Sequence, residues 1–339
     1  MKKIIKTLKK IKIAKNKTKM KTEFKTKTKM ENKILKNTKG QNIPNLDESV
    51  ISALEFFKKE NLAFPNKLFT KIPIIIGSGN AYNTAKILFK DSSAIFANES
   101  NFKKLLKGFN SLIKKGLIKE ALIISASGEK DSVWEVELAK KAGLKTILFS
   151  CNYNSNAEKL ADKTFVFKKL PEPYTYNVST YLGMILAFEK ESPAEILKTI
   201  KSLSFPKKFA NYKAYSFVLP DEFGELAPML EIKRHELFGP KLSLRAFSEG
   251  EARHAKFVIP WKEELVISFA KNEHFGEKES RFEIKLRKKL SASLLMAISY
   301  FIIGKIQESK PAYFKNNIKN YCLKGGKAYG KGEKFSVIS

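Results

Sequence analysis

Residues 117–143 read LIKEALIISASGEKDSVWEVELAKKAG, and the hydrophobic period changes in the middle of that stretch. Ala121-Leu122-Ile123-Ile124 is a continuous apolar run, the pattern of a strand buried on both faces of a parallel sheet. Val133, Val136, Leu138, Ala139 and Ala142 then recur at helical spacing up to Gly143, a C-cap candidate. Between strand and helix, residues 125–132 carry no large apolar side chain. A strand that ends in such a loop and feeds a helix aims backbone N–H groups and the positive end of the helix dipole at one spot, which favours an anion. Ser125, Ser127 and Ser132 offer hydrogen bonds to a phosphate and Lys130 offers charge. An ordinary capped turn uses the same residue types, so the loop alone leaves both readings open.

The same grammar occurs upstream. An apolar strand over 72–76 runs into Gly77-Ser78-Gly79-Asn80 and then a helix over 81–89, which adds Ser78 and Asn80 as phosphate contacts. The third glycine and downstream acid of a dinucleotide fingerprint are missing, and no GK[ST] follows, so neither a Rossmann cofactor nor a P-loop is expected. Further strands over 94–97, 146–150 and 165–167, with helices over 102–115 and 156–161, give an alternating strand–helix order with short connections. That order implies a doubly wound parallel sheet whose ligands sit at the carboxyl ends of the strands. After a helix over 175–188 and another starting at Ser192-Pro193, a second unit opens with a strand over 215–219. It continues with a polar loop over 220–224, a helix over 225–237, strands over 257–259 and 265–269, and a long apolar helix over 286–306.

The chain has 339 residues, 43% of them apolar, enough for two core-bearing domains. Its net charge of +30 is uneven: residues 1–40 hold sixteen Lys against Glu23 and Glu31, a net of +14. Such an arm cannot bury enough apolar surface to order itself, and nucleic acid is expected to bind only through it, if at all. The two cysteines, Cys151 and Cys322, stand apart without a CxxC or a nearby His, which points to a reducing cytoplasm and away from a metal site. Lys6, Lys9, Lys10 and Lys12 interrupt any signal-peptide core, and the apolar patch over 290–303 is too short to span a bilayer, so no membrane association is expected. A first helix, with Asp47 as its cap candidate, follows the arm.

Three of these stretches resemble successive motifs of the sugar isomerase (SIS) domain family: GSGNAYNTA at 77–85, ISASGEKDSV at 124–133 and AKKAGLKTILFSCNYNSNAEKLAD at 139–162. The second unit resembles the second domain of double-SIS proteins, such as the isomerase portion of glucosamine-6-phosphate synthase. The family's LKxKE is echoed by Leu230-Glu231-Ile232-Lys233-Arg234-His235-Glu236, and its GExxHG by Gly250-Glu251-Ala252-Arg253-His254-Ala255. The resemblance implies two αβα subdomains, each a flavodoxin-like parallel sheet flanked by helices: an arm over 1–45, domains over 46–206 and 207–320, and a loosely ordered tail over 321–339. It further implies a phosphosugar site, with the loop hydroxyls on the phosphate, in a homodimer whose histidine can reach the neighbour's site.

In catalytic members a glutamate of LKxKE moves a proton between C1 and C2, and the histidine of GExxH opens the ring. Glu236 matches the former best and Glu231 second, while His254 matches the latter, with Glu251 as the acid of its motif. Lys315, after Pro311, stands where the synthases have an imine-forming lysine, with Lys319 as its competitor. Aldose–ketose exchange needs an acid–base group and an imidazole near neutral pKa, which these residue types supply. Equally, His254 suits a charged surface segment and Glu236 a solvated helix face. Lys130 replaces the usual threonine, Ala126 and Ala81 replace polar residues, and Ala255 replaces glycine. No cofactor is expected, and the two functions left are an aldose–ketose isomerase, with or without amination or deamination, and a non-catalytic sugar-phosphate sensor.

Overall fold

The computed structural model describes residues 43–286, 289–328 and 337–338. The basic arm lies outside the described residues except for its last three, and the tail expected from 321 is helical as far as Ala328. Residues Pro44–Tyr313 form one compact unit, and the described residues from Phe314 onward belong to another.

The near-continuous apolar runs become five parallel strands: β1 (Ile72–Gly77), β2 (Ile95–Ala97), β3 (Ile118–Ile124), β4 (Lys145–Ser150) and β5 (Lys163–Val166), in the spatial order β2-β1-β3-β4-β5. Ile76 pairs with Ile123 and Ile123 with Leu148, all fully buried, as expected for a sheet covered on both faces. Helices α1 (Leu46–Phe57), α2 (Asn80–Phe89), α3 (Phe102–Lys114), α4 (Asp131–Lys141), α5 (Val178–Glu189) and α6 (Pro193–Lys201) accompany it. The short helix expected over 156–161 is instead a run of turns.

A second parallel sheet follows, β6 (Ala214–Leu219), β7 (Ser243–Ser248), β8 (Glu264–Ser268) and β9 (Arg281–Glu283), in the order β7-β6-β8-β9. Here the structure corrects the reading of the sequence. Residues 257–259 are a turn: Lys256 takes a left-handed φ of 54°, Phe257 folds back to stack on Phe275 at 5.9 Å, and Pro260 follows. The strand in that part of the sheet is β7, whose Arg245 hid it; the guanidinium is neutralised by Glu264 at 2.5 Å. The helix expected over 225–237 is broken into a 3-10 segment (Asp221–Leu226), α7 (Ala227–Lys233) and a π turn (Arg234–Phe238). A short helix, α8 (Glu249–His254), leaves the end of β7.

The apolar helix α9 (Ala292–Ser309) starts later than expected, at its Ser291 cap, and is buried almost all round. It crosses α1 so closely that a Cβ on Gly304 would fall 2.0 Å from the Asp47 nitrogen. Asp47 is therefore no cap. It is buried and pairs with Lys305 at 2.9 Å, while Asn45 caps α1 in a capping box with Glu48. Among the described residues no helix is long and apolar enough to cross a membrane.

Candidate active site

At the carboxyl end of β3 the chain turns through the hydroxyl loop into α4. The Ser125 N–H donates to the Phe149 carbonyl at 2.9 Å, which extends the β3–β4 pairing by one residue. Gly128 N–H donates to Ser125 Oγ at 3.2 Å, and Glu129 N–H to Ser127 Oγ at 3.2 Å. Each hydroxyl thus accepts from the loop while its own hydrogen remains to be donated to a ligand. The Ser132 hydroxyl differs, because it donates to the Glu129 carbonyl at 2.8 Å and is buried. Lys130, at the helix N-cap, holds a left-handed φ of 55°.

The loop after β4 clamps this turn. Ala157 N–H donates to the Gly128 carbonyl at 2.9 Å, and the Glu129 carboxylate accepts from Asn156 N–H at 3.0 Å and Asn156 Nδ2 at 2.7 Å. Gly128 has φ +64°, and a Cβ there would fall 2.1 Å from Ser155 Oγ, so only glycine fits. On the neighbouring strand β1, the Gly77–Asn80 turn delivers the N-terminus of α2 to the same edge, since Gly77 pairs with Ile124. Ser78 Oγ and Asn80 Oδ1 are buried there without a hydrogen-bond partner. Unpaired buried polar atoms are costly in a folded chain, which makes these two, at a sheet edge flanked by two helix N-termini, candidates for contact with a ligand.

A third strand end brings in the second half of the unit. Beyond β5 the buried Glu172 carboxylate accepts from the Val178, Ser179 and Thr180 N–H groups and from both of the latter side chains, closing the N-terminus of α5. Between them, the Thr175 carbonyl accepts from Lys233 Nζ at 2.5 Å, and the same ammonium donates to Glu236 Oε2 at 2.6 Å. Lys233 is 0% exposed and lies 5.4 Å from the centre of the Tyr300 ring. Glu236 keeps 23% exposure. Burial pushes its carboxyl above the ordinary range, and the Lys233 charge pulls the other way. The π turn, one residue wider than an α turn, sets Glu236 beside Lys233; such bulges recur at functional sites. The Tyr300 hydroxyl and Thr175 Oγ1 are buried without partners, and burial with the nearby Glu236 charge drives the Tyr300 phenol well above its usual value.

The remaining candidates are scattered. Glu231 lies on the exposed side of α7, its carboxylate accepting among the described residues from the Ala246 N–H at 3.4 Å. Glu251 closes a capping box with Ser248, accepting its N–H at 2.9 Å. His254 is exposed at the end of α8. Glu236 lies in the segment entering the amino end of β7 and His254 on the helix leaving its carboxyl end; no hydrogen bond or ion pair joins them among the described residues. Lys315 and Lys319 fall on helix α10 (Tyr313–Ala328), in the other unit. Sequence reasoning passed over Lys233, Thr175, Tyr300 and Glu172. The one available signal was the lysine of the LKxKE-like stretch, whose burial no hydrophobic pattern reveals.

No protein-family model and no curated protein matches this sequence. Among solved structures, the chain is similar to the C-terminal domain of glucosamine-fructose-6-phosphate aminotransferase from Francisella tularensis, at 16% identity and a TM-score of 0.50 over 78% of this chain and 93% of that one. It is also similar to a Salmonella typhimurium structure described as a sugar binding protein, at 9% identity and a TM-score of 0.51 over 78% of this chain and 98% of that one. At these identities the likeness is one of fold, and as a fold it bears out the two-sheet sugar-isomerase architecture that the motifs implied.

Proposed function

We propose that this chain binds a phosphosugar at the carboxyl edge of its first sheet and interconverts the aldose and ketose forms of a hexose or amino-hexose 6-phosphate. Two observations support the reading: spare hydroxyl donors in the loop after β3, and a carboxylate, Glu236, held by a buried lysine that also bonds the Thr175 carbonyl beyond β5. Phosphate affinity comes from the donors at the two helix N-termini, the Ser125, Ser127 and Ser78 hydroxyls and the Asn80 Nδ2 amide. Glu236 takes the proton from C2 of the aldose, giving an enediolate; the hydroxyl proton passes from O2 to O1, and Glu236 returns its proton to C1. A base must be ionised before it acts, and Lys233 opposes the burial that would otherwise keep Glu236 protonated.

Ser127→Ala is expected to weaken the thermal stabilisation given by a hexose 6-phosphate, with a loss of ~1.5–3 kcal/mol in binding for one charge-assisted bond. Stabilisation by free sugars and not by their phosphates would overturn the phosphate assignment. NMR of the bound sugar separates the isomerase from the sensor: exchange between isomers supports the former, and tight binding without exchange supports the latter, in which the Lys233–Glu236 pair is structural.

The ring-opening group in this reading is His254, of a second copy or of the same chain, and its place favours the second copy. Within one chain it follows the carboxyl end of β7 whereas Glu236 precedes the amino end, and it is followed by the exposed apolar Val258, Ile259 and Trp261, at 48%, 82% and 47% exposure. A homodimer covers such a patch and delivers the imidazole together. His254→Ala and Glu236→Gln are each expected to be inactive yet to bind phosphosugar. Mixing the two should restore activity to about a quarter of the sites in randomly mixed dimers. No recovery would place both groups in one chain.

A further inference from the structure

The π turn has two faces. Glu236 points inward to Lys233, whereas Arg234 and His235 line an open surface depression of about 570 Å³ together with Gly239, Pro240, Lys241, Leu242 and Ser243. None of the lining residues is acidic. Arg234 donates to His235 Nε2 at 3.0 Å, which requires that nitrogen to be unprotonated, and neither Arg234 nor Lys241 pairs with a carboxylate among the described residues. The far wall is fixed: Gly239 takes φ 55° and ψ −131°, and a Cβ there would fall 2.3 Å from the Tyr313 ring. The volume is in the range of small-molecule sites, and two cations with a hydroxyl match a phosphoryl dianion.

We propose that this depression is a second anion site, distinct from the hydroxyl loop, that takes a small phosphorylated molecule on Arg234, Lys241 and Ser243 beside His235. Because the turn that forms it also carries Glu236, an occupant here bears directly on the backbone of the proposed base.

The chain has three histidines, His235, His254 and His274, and none lies in the lysine-rich arm, so their ring NMR signals report the folded unit alone. The full chain is titrated with inorganic pyrophosphate, with signals assigned by single His→Gln variants and His274 as the internal control. The expected result is a saturable shift of the His235 signal, with its midpoint raised at least about tenfold in R234Q/K241Q, since two charge-assisted contacts are lost. Lys241 is exposed and Arg234 half-buried, and an unchanged Tm checks that this variant folds. In S127A the His235 titration should be unaltered, which separates this site from the phosphosugar reading: failure of that reading leaves the His235 result standing, and the reverse. A His235 signal that does not move, or that moves with the same midpoint in R234Q/K241Q, overturns the proposal.

Discussion

Lys233→Met is expected to lower the unfolding free energy by about 2–4 kcal/mol, somewhat below the range for a fully enclosed ion pair because Glu236 retains partial exposure. The substitution keeps the length of the side chain but removes the ammonium from a site that water does not reach. It leaves the Thr175 carbonyl and the Glu236 carboxylate without their shared donor. The sign of the pH dependence follows from Glu236. Its folded-state carboxyl titrates above the unfolded one, so the cost of ionising it is absent below the unfolded value and grows as pH rises. With Lys233 gone, the opposing charge is lost and that cost deepens, so the deficit measured by urea unfolding should be smaller at acid pH than at pH 8. Lys233→Met/Glu236→Leu should recover most of the loss, since an apolar pair needs no partner. A deficit under about 1 kcal/mol, flat with pH, would mean that water already serves Glu236 in the native chain.

Much of the first sheet was legible because its strands are buried on both faces and written in one alphabet. Ile74 to Ile76, Ala121 to Ile124 and Ile147 to Phe149 need no context to be read. The hydroxyl loop was legible for the same reason: a period change with only small and polar residues at the change. The second sheet was less so. β7 alternates, with Arg245 mid-strand paired to a residue nineteen positions on, and a long-range ion pair leaves no trace in local sequence. The apolar residues 257–259 mislead in the opposite direction, since Ile259 is spent on the surface. Least legible was the Lys233–Glu236 pair. Burial of a lysine depends on Thr175 and Tyr300, which are 58 and 67 positions away, and the π turn that aligns Glu236 has no propensity signal of its own.

Helix α4 holds the other silent residue, and its replacement is expected to stabilise the protein. Glu135 sits among Val133, Val136 and Ala139, which the sequence marks as the inward face, yet a glutamate one turn into a helix reads as solvated. It is in fact 1% exposed, with Oε1 lacking any partner. Burial first, and the nearby Asp131 and Glu99 charges second, push its carboxyl up to about 8, so at neutral pH it is protonated in the folded chain. The unfolded chain releases that proton near the ordinary value of 4.5. Between those two values the folded state binds the extra proton, so stability falls as pH rises through this window and the full penalty is reached above about 8. Glu135→Gln keeps the shape and has no proton to lose. Its advantage should be near zero below pH 4, reach about 3 kcal/mol at pH 7, and level off above pH 8. Denaturant unfolding of both proteins across pH 4 to 9 checks this; a gap that stays constant with pH, or one that favours the glutamate at pH 8, would show that Glu135 is ionised and paired in the native state. Because α4 presents its N-terminus to the hydroxyl loop, phosphosugar affinity of the variant should match that of the parent chain while its melting temperature at pH 8 rises.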